Sequence, residues 1–372
     1  MAKHLPGNES IRLFLMTNTF ETGGSERQFA ILAQNLDPQQ FHVHLGCVNR
    51  RGPFAEDFPE VPEFRLGGSL YGWRSLRTRL ELSRHLRRNH VQIAHAFEFY
   101  TNLTLVPAAR LVRVPVVIGS FRQLGDLLTP AQFRVQAAAF RWCHAVVCNS
   151  RAGAGRLAAE GLSPEKLFVI GNALPPAAFS VAPPALPGRP GLLRVGMVAR
   201  MNARYKNHSG FLRIAARIHQ QLPDVKFLLV GGGPLRPELE REAQTLGLGD
   251  RVVFLGDRRD IPALLASMDV AVLTSNSEGL SNVILEAMAA SLPVVAYNVG
   301  GNGELVNEER GAVIAPGDET GFAAAVVRLL ADSALREQLG QNARKFAEGN
   351  FSLEQVLSRY EELYATLLEK TG

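Results

Sequence analysis

The chain has 372 residues, 46% of them hydrophobic, and a net charge of +5. That length supports two domains, each with its own core, and counts against one fused domain. Residues 1–185 carry twenty positive and thirteen negative side chains, a net of +7, whereas residues 186–372 carry twenty and twenty-two, a net of −2. A basic half suits an anionic partner (acidic lipid, phosphorylated acceptor or nucleic acid), and sign alone does not choose among them.

Cys47, Cys143 and Cys148 include no CxxC pair and have no His at a ligand spacing, so neither a disulfide framework nor a zinc site is expected. The start, Met1 to Ser10, is polar and no apolar run approaches bilayer length. The expectation is a cytoplasmic protein without signal peptide or membrane span, at most peripheral at the inner membrane surface.

In chain order, apolar runs at 11–16, 42–48, 91–94, 114–118 and 145–147 alternate with helical patterns. Such alternation predicts a parallel sheet covered on both faces. After the first run comes Phe20-Glu21-Thr22-Gly23-Gly24-Ser25-Glu26-Arg27, whose paired glycines allow a ligand close to the backbone at a strand-to-helix turn. The segment Trp73–Arg88 is Arg-rich, with Leu76, Leu80 and Leu86 near one helix face. It reads first as a solvated face over the core, with membrane contact as the alternative. Only Tyr71 and Trp73 flank this run, which counts against nucleic-acid binding. His95 ends a strand and can hydrogen-bond a sugar hydroxyl, although a lone histidine is more often structural. Arg122, after the next strand, is a weaker candidate for the acceptor or the donor phosphate.

Pro175-Pro176, Pro183-Pro184 and Pro187-Gly188-Arg189-Pro190 predict a linker at 176–191 between an N-terminal domain, 1–175, and a C-terminal domain, 192–350. Strand patterns then restart at 193–198, 226–230, 252–255, 270–273 and 294–296, and an amphipathic helix is expected at 351–368. In open parallel sheets ligands bind beyond the carboxyl ends of the strands, so two facing halves would enclose a cleft.

The most informative loop follows the run ending at Leu273, where Glu278-Gly279-Leu280-Ser281-Asn282 leads into Val283-Ile284-Leu285-Glu286. A helix starting at Gly279 would aim the amides of Leu280, Ser281 and Asn282 at a phosphate. Glu286 would then stand roughly 6–8 Å further along, at the distance of a ribose. Glu278 precedes the helix and can reach a sugar beyond the diphosphate. Arg200 and Lys206, in the loop after the first strand of this half, are placed to neutralise the diphosphate as it leaves. Neither glycine-rich stretch, at 23–24 or at 231–233, has the GxGxxG spacing, and no GxxxxGK[ST] occurs, so a dinucleotide fingerprint and a P-loop are not supported.

The string from Glu278 through Glu286, two glutamates separated by seven residues, resembles the signature of the family 4 retaining glycosyltransferases. Gly23-Gly24, Ala94-His95-Ala96, Cys148-Asn149-Ser150, Ile170-Gly171-Asn172, Arg200 with Lys206, and Leu255-Gly256 extend the resemblance over nearly the whole chain. Ser281 stands where many members carry proline. The resemblance implies a GT-B fold, with two facing Rossmann-like domains, the last helix packing on the first domain, and a nucleotide diphosphate sugar, by family frequency a UDP-sugar, as donor. By that pattern Glu286 holds the ribose, Glu278 and His95 touch the sugar, Arg200 and Lys206 bind the diphosphate, Gly24 lines the cleft, and the loop holding Gly256 and Arg258 meets the base.

No Asp-x-Asp occurs, which fits a family that uses basic side chains and helix amides instead of a metal, so the resemblance implies no metal or cofactor. Neither glutamate is placed for the double displacement of a retaining glycosidase, which favours front-face transfer. The acceptor is expected to be a glycan, a lipid-linked or a small molecule, as in polysaccharide biosynthesis. Two other readings keep the fold: a sugar-nucleotide epimerase of the non-hydrolysing kind, and a catalytically silent nucleotide-sugar-binding protein.

Overall fold

A computed structural model of the chain describes residues 10–70, 72–188 and 191–371. Residues 1–9, Tyr71 and Arg189-Pro190, which figured in the reading of the amino terminus, the Arg-rich run and the linker, lie outside the described residues. The chain divides into two compact units, Met1–Ala173 with Glu354–Gly372, and Leu174–Leu353.

The first unit runs β1 (Ile11–Thr17), α1 (Gly24–Asn35), β2 (Phe41–Cys47), α2 (Trp73–Arg88), β3 (Ile93–Ala96), α3 (Phe99–Leu111), β4 (Val116–Phe121), α4 (Pro130–Arg141), β5 (Ala145–Cys148), α5 (Arg151–Ala159) and β6 (Leu167–Val169). Its strands pair in parallel in the order β2-β1-β3-β4-β5-β6. The central strands β3, β4 and β5 are buried throughout, because helices cover both faces of a parallel sheet. All three cysteines are buried as free thiols, and burial pushes each up to about 12.

The second unit runs β7 (Arg194–Val198), α6 (His208–Gln221), β8 (Lys226–Val230), α7 (Arg236–Thr245), β9 (Val252–Gly256), α8 (Ile261–Leu265), β10 (Val270–Leu273), α9 (Asn282–Ala289), β11 (Val294–Tyr297), α10 (Asn302–Leu305), β12 (Gly311–Ile314), α11 (Glu319–Ala331) and α12 (Ser333–Phe351). The sheet order is β12-β11-β10-β7-β8-β9, again parallel. In each sheet the winding reverses once, between β1 and β3 in the first unit and between β7 and β10 in the second. Such a reversal opens a crevice at the carboxyl ends of the two strands.

The Pro-rich stretch is not a free linker. The Ala185 amide donates to the Ala263 carbonyl at 2.9 Å, the Leu186 amide donates to Ser267 Oγ at 3.1 Å, and Arg344 donates to the Phe179 carbonyl. Backbone groups that prolines leave unpaired by sequence thus find partners on the second unit.

The last helix, α13 (Leu353–Glu369), begins after α12 ends at Phe351 and closes the first unit. It buries Val356, Tyr360, Leu363, Tyr364 and Leu367, an i, i+4, i+7, i+8, i+11 stripe of an amphipathic helix. The Tyr364 hydroxyl hydrogen-bonds His95 Nδ1 at 2.8 Å, and its ring meets Phe41 edge-on at 5.8 Å. Tyr364→Phe keeps the ring but leaves the buried imidazole nitrogen without its partner. The expected cost is about 1–3 kcal/mol, read as a lower thermal midpoint; an unchanged midpoint would show that this hydrogen bond gives no net stabilisation.

Candidate functional site

The site in the second unit grows from two loops at the reversal point. After β7 the chain runs to a short 3-10 turn, Arg204–Lys206, and then to Asn207, whose left-handed backbone (φ 55°) and side chain cap α6. Asparagine tolerates that conformation and caps well. After β10, residues 274–281 lead into α9. Asn207 Nδ2 donates to the Thr274 carbonyl at 3.1 Å, Thr274 Oγ1 donates to the Asn207 carbonyl at 2.9 Å, and the Asn276 amide donates to the Tyr205 carbonyl at 2.7 Å. Three hydrogen bonds thereby lock the two loops together.

On this frame Lys206 Nζ donates to Glu278 Oε1 at 2.7 Å, with the side chains 23% and 11% exposed. The ammonium also lies 5.2 Å from the centre of the Tyr205 ring. A partly shielded, charge-assisted contact of this length fixes both side chains. Beside it, His208 packs under the loop with Nε2 on the Ala199 carbonyl at 3.2 Å, and burial lowers its pKa.

The structure corrects where the α9 helix starts. It begins at Asn282, not at Gly279, and the Ser281 hydroxyl accepts the Ile284 amide at 3.3 Å. Serine at this position is an N-cap, so residues 278–281 remain a loop. Glu286 is the fifth residue of α9 and half-buried, about 6 Å along the axis from Asn282. Arg200, exposed, stands two residues beyond the end of β7.

The glycine-rich turn after β8 supports that loop from beneath. The Met201 amide donates to the Gly232 carbonyl at 2.7 Å, and Gly231 adopts φ 133°, where a Cβ would stand 2.2 Å from the Ala199 carbonyl oxygen. Gly256 ends β9 with φ 68°, and Arg258 grips Asp260 through two hydrogen bonds of 2.7 and 2.5 Å. Arg258 thus pairs with a carboxylate of its own loop, and both side chains remain solvent-accessible. Among the described residues no group of three or more His, Cys, Asp and Glu side chains is arranged to hold a metal ion.

Gly24 and His95 belong to the first unit. Gly24 opens α1 and is exposed. His95 is fully buried, with Nδ1 on Tyr364 and Nε2 on Ser120 Oγ, both at 2.8 Å. Burial first, and the Arg122 guanidinium second, lower its pKa to about 3, so it is a neutral core histidine. This corrects the expectation of contact with a sugar, because both ring nitrogens and all of its surface are already occupied. Arg122 likewise has internal partners: it donates to Asn172 Oδ1 at 2.5 Å and to the Tyr360 hydroxyl at 3.4 Å.

Reading the sequence missed a second acidic residue at the reversal point of this sheet. Glu98 caps α3, and its Oε2 accepts the Asn18 amide at 2.6 Å and the Thr17 hydroxyl at 3.3 Å, tying the loop after β3 to the loop after β1. Nearby, Thr19 Oγ1 donates to Glu26 Oε1 at 3.2 Å. The available signal was the position of Glu98, three residues beyond His95 and just past a strand end.

The chain matches the family model of glycosyl transferases group 1 over residues 193–332 and that of glycosyltransferase family 4 over residues 22–177. It is 31% identical over 256 residues to the lipopolysaccharide core biosynthesis glycosyltransferase LpsE of Rhizobium meliloti, covering 68% of this chain and 72% of that one. The chain belongs to this glycosyltransferase family. It is also 28% identical over 360 residues to an Escherichia coli enzyme, UDP-Gal:alpha-D-GlcNAc-diphosphoundecaprenol alpha-1,3-galactosyltransferase, with 90% of this chain and 91% of that one covered. One further curated relative, 36% identical, is matched over only 40% of its length. Among solved structures, HepE of Anabaena in complex with UDP superimposes with a TM-score of 0.81 at 23% identity, over 96% of this chain and 100% of that one. That likeness shows the fold, the two-domain α/β GT-B architecture of glycosyltransferases.

Burial first and the Glu26 carboxylate second push the Glu98 carboxyl up to about 8. Because the folded value lies above the ordinary one, the folded state holds the proton. The stabilisation is full below the unfolded value of about 4.5 and is lost as pH rises through about 8. Thermal midpoints of the wild-type protein should therefore fall across that window, and Glu98→Gln should flatten the fall. Equal slopes for both proteins would show that Glu98 does not titrate there.

Proposed function

We propose that this glycosyltransferase moves a hexose or N-acetylhexosamine from a UDP-sugar to a glycan, lipid-linked or small-molecule acceptor, with retention of configuration and without a metal. The observation that carries the proposal is the Lys206–Glu278 pair at the reversal point of the second sheet, in the loops that lead into α6 and into α9, the helix that carries Glu286. Arg200, Lys206 and the α9 start supply positive potential for a diphosphate. Glu286 offers a carboxylate to the ribose hydroxyls, and Glu278 offers one to the sugar. UDP as the base draws support from the names of relatives: the Escherichia coli protein is named for UDP-Gal, and HepE is described with UDP and with UDP-glucose. The Escherichia coli name also carries a lipid diphosphate acceptor, which suits a basic first half.

Retention follows from front-face chemistry. The bond from the anomeric carbon to the phosphate oxygen breaks, the acceptor oxygen bonds to the same face, and the departing phosphate oxygen takes the acceptor proton. A double displacement would need a carboxylate nucleophile on the face opposite the leaving group, a placement that this reading gives to neither Glu278 nor Glu286. Purified protein should gain thermal stability with UDP and UDP-sugars over GDP and ADP counterparts, and should keep that gain with a chelator. Glu286→Ala should abolish the shift; Glu278→Ala should keep it and lower transfer by about 100-fold or more. No shift with any nucleotide would overturn the donor-site assignment, a shift without any transfer would favour a silent nucleotide-sugar-binding protein, and a shift lost with the chelator would overturn metal independence.

A second proposal, peripheral membrane contact, rests on α2. Trp73 is 76% exposed and Leu76 is 46% exposed, with Arg74, Arg77, Arg84, Arg87 and Arg88 exposed on the same helix. Leu86 is fully buried and does not contribute to the expected apolar face. At 100° per residue, Trp73, Leu76, Arg77, Leu80, Arg84 and Arg87 fall within an arc of about 100°, an aromatic and aliphatic start followed by cations. Among the described residues no helix is long and apolar enough to cross a membrane. Vesicles containing phosphatidylglycerol should sediment the protein, and high salt, Trp73→Ala, or Arg84, Arg87 and Arg88 reversed to Glu should each weaken this. Equal sedimentation with neutral phosphatidylcholine vesicles would remove the electrostatic basis.

A further inference from the structure

We infer that Gly300, in the turn between β11 and α10, is a positioning residue for Glu278: it fixes the catalytic loop through a backbone contact that no other residue type permits. The inference rests on reading the Lys206–Glu278 pair as the donor site. Gly300 adopts φ 54°, and a Cβ built on it would lie 1.7 Å from the Glu278 carbonyl oxygen and 2.8 Å from its carbonyl carbon. The next residue completes the clamp, since the Gly301 amide donates to the Gly279 carbonyl at 2.8 Å. Two successive peptides of the 278–279 loop are thus held by two successive glycines, one by close packing and one by a hydrogen bond.

The clamp is anchored. The Asn298 amide donates to the Ile314 carbonyl at 2.8 Å, and the fully buried Asn302 donates through Nδ2 to the Tyr297 carbonyl at 3.1 Å. The turn that carries residue 300 is therefore held in place, and a methyl group there pushes away the Glu278 carbonyl it meets, so that the 278–279 loop moves. Side chains in that position essentially never approach backbone so closely, and the left-handed φ adds strain for most residues. Displacing the Glu278 backbone shifts its carboxylate from Lys206. Glu286 sits inside α9, on the far side of the Ser281 cap, and keeps its place.

The test compares Gly300→Ala with Gly247→Ala, a control with φ 72° and no atom within 4 Å of the added Cβ, so that conformational strain is separated from contact. In steady-state transfer from the UDP-sugar that the wild-type protein uses, Gly300→Ala should lower kcat by about 100-fold. The donor KM and the affinity for UDP should change by less than about threefold, and the control should keep wild-type kinetics. In a Glu278→Gln background, adding Gly300→Ala should lower kcat no further, because both changes act through one group. A small effect on kcat, a parallel loss of UDP affinity, or additive effects in the double variant would each overturn the inference. If Gly300→Ala does not fold, Asn302→Ala, which loosens the turn without adding atoms, should show the same selective fall in kcat, and wild-type kcat in that variant would overturn the inference. A wild-type protein without transfer activity would instead count against the proposed function.

Discussion

The second unit is organised around one constraint: two loops from the reversal point must be held in fixed register. Adjacent strands of a parallel sheet end side by side, but where the winding reverses, the chains leaving them go to opposite faces. The loops after β7 and β10 therefore diverge unless something ties them. Here the ties are the reciprocal hydrogen bonds of Asn207 and Thr274 and the amide of Asn276. Only with those bonds made can Lys206 and Glu278, 72 positions apart in sequence, meet at 2.7 Å.

The first unit meets the same geometric problem with different chemistry. Its reversal lies between β1 and β3, and there Glu98 binds the loops through the Asn18 amide and the Thr17 hydroxyl. A carboxyl close to Glu26 and pushed up to about 8 is a tie that retains its proton near neutrality, whereas the ties in the second unit are hydrogen bonds of neutral groups. His95, three residues earlier and inside β3, spends both ring nitrogens within the unit on Ser120 and Tyr364. The carboxyl end of β3 thus carries structural work, and α13 is its cover.

How far the sequence was legible varies by element. Runs such as 270–273 and 294–296 announce themselves because strands buried on both faces are continuously apolar. β6, Leu-Phe-Val at a sheet edge, and β12, Gly-Ala-Val-Ile after a polar turn, escape the same reading because they are short and half-exposed. In the site, Glu278, Glu286, Arg200 and Lys206 stand out by position after strands. The role of Ser281 was misplaced by three residues of helix start, since a serine cap and a helix-forming residue look alike until the Ile284 amide is located. His95 was legible as a strand end but not as a core group, because its partner Tyr364 is 269 positions away. Long-range partners of this kind leave no local pattern.

The magnitudes show why the ion pair is a device of orientation more than of stability. A pair with 23% and 11% exposure gains Coulomb energy, loses side-chain freedom and some hydration, and nets about 1 kcal/mol or less when solvent still reaches it. A fully buried pair would hold more tightly, but exchanging either partner for a ligand would then expose an uncompensated charge at a cost of about 3–5 kcal/mol. At intermediate burial the exchange is inexpensive. The ammonium and the carboxylate can each turn to a ligand group of opposite charge or to a hydroxyl, while the loops beneath them stay fixed by backbone hydrogen bonds. Rigidity is thus placed in the backbone, in Asn207, Thr274 and the glycine turns, and exchangeability in the side chains. That division of labour lets the pair take up and release a charged ligand without moving the loops beneath it.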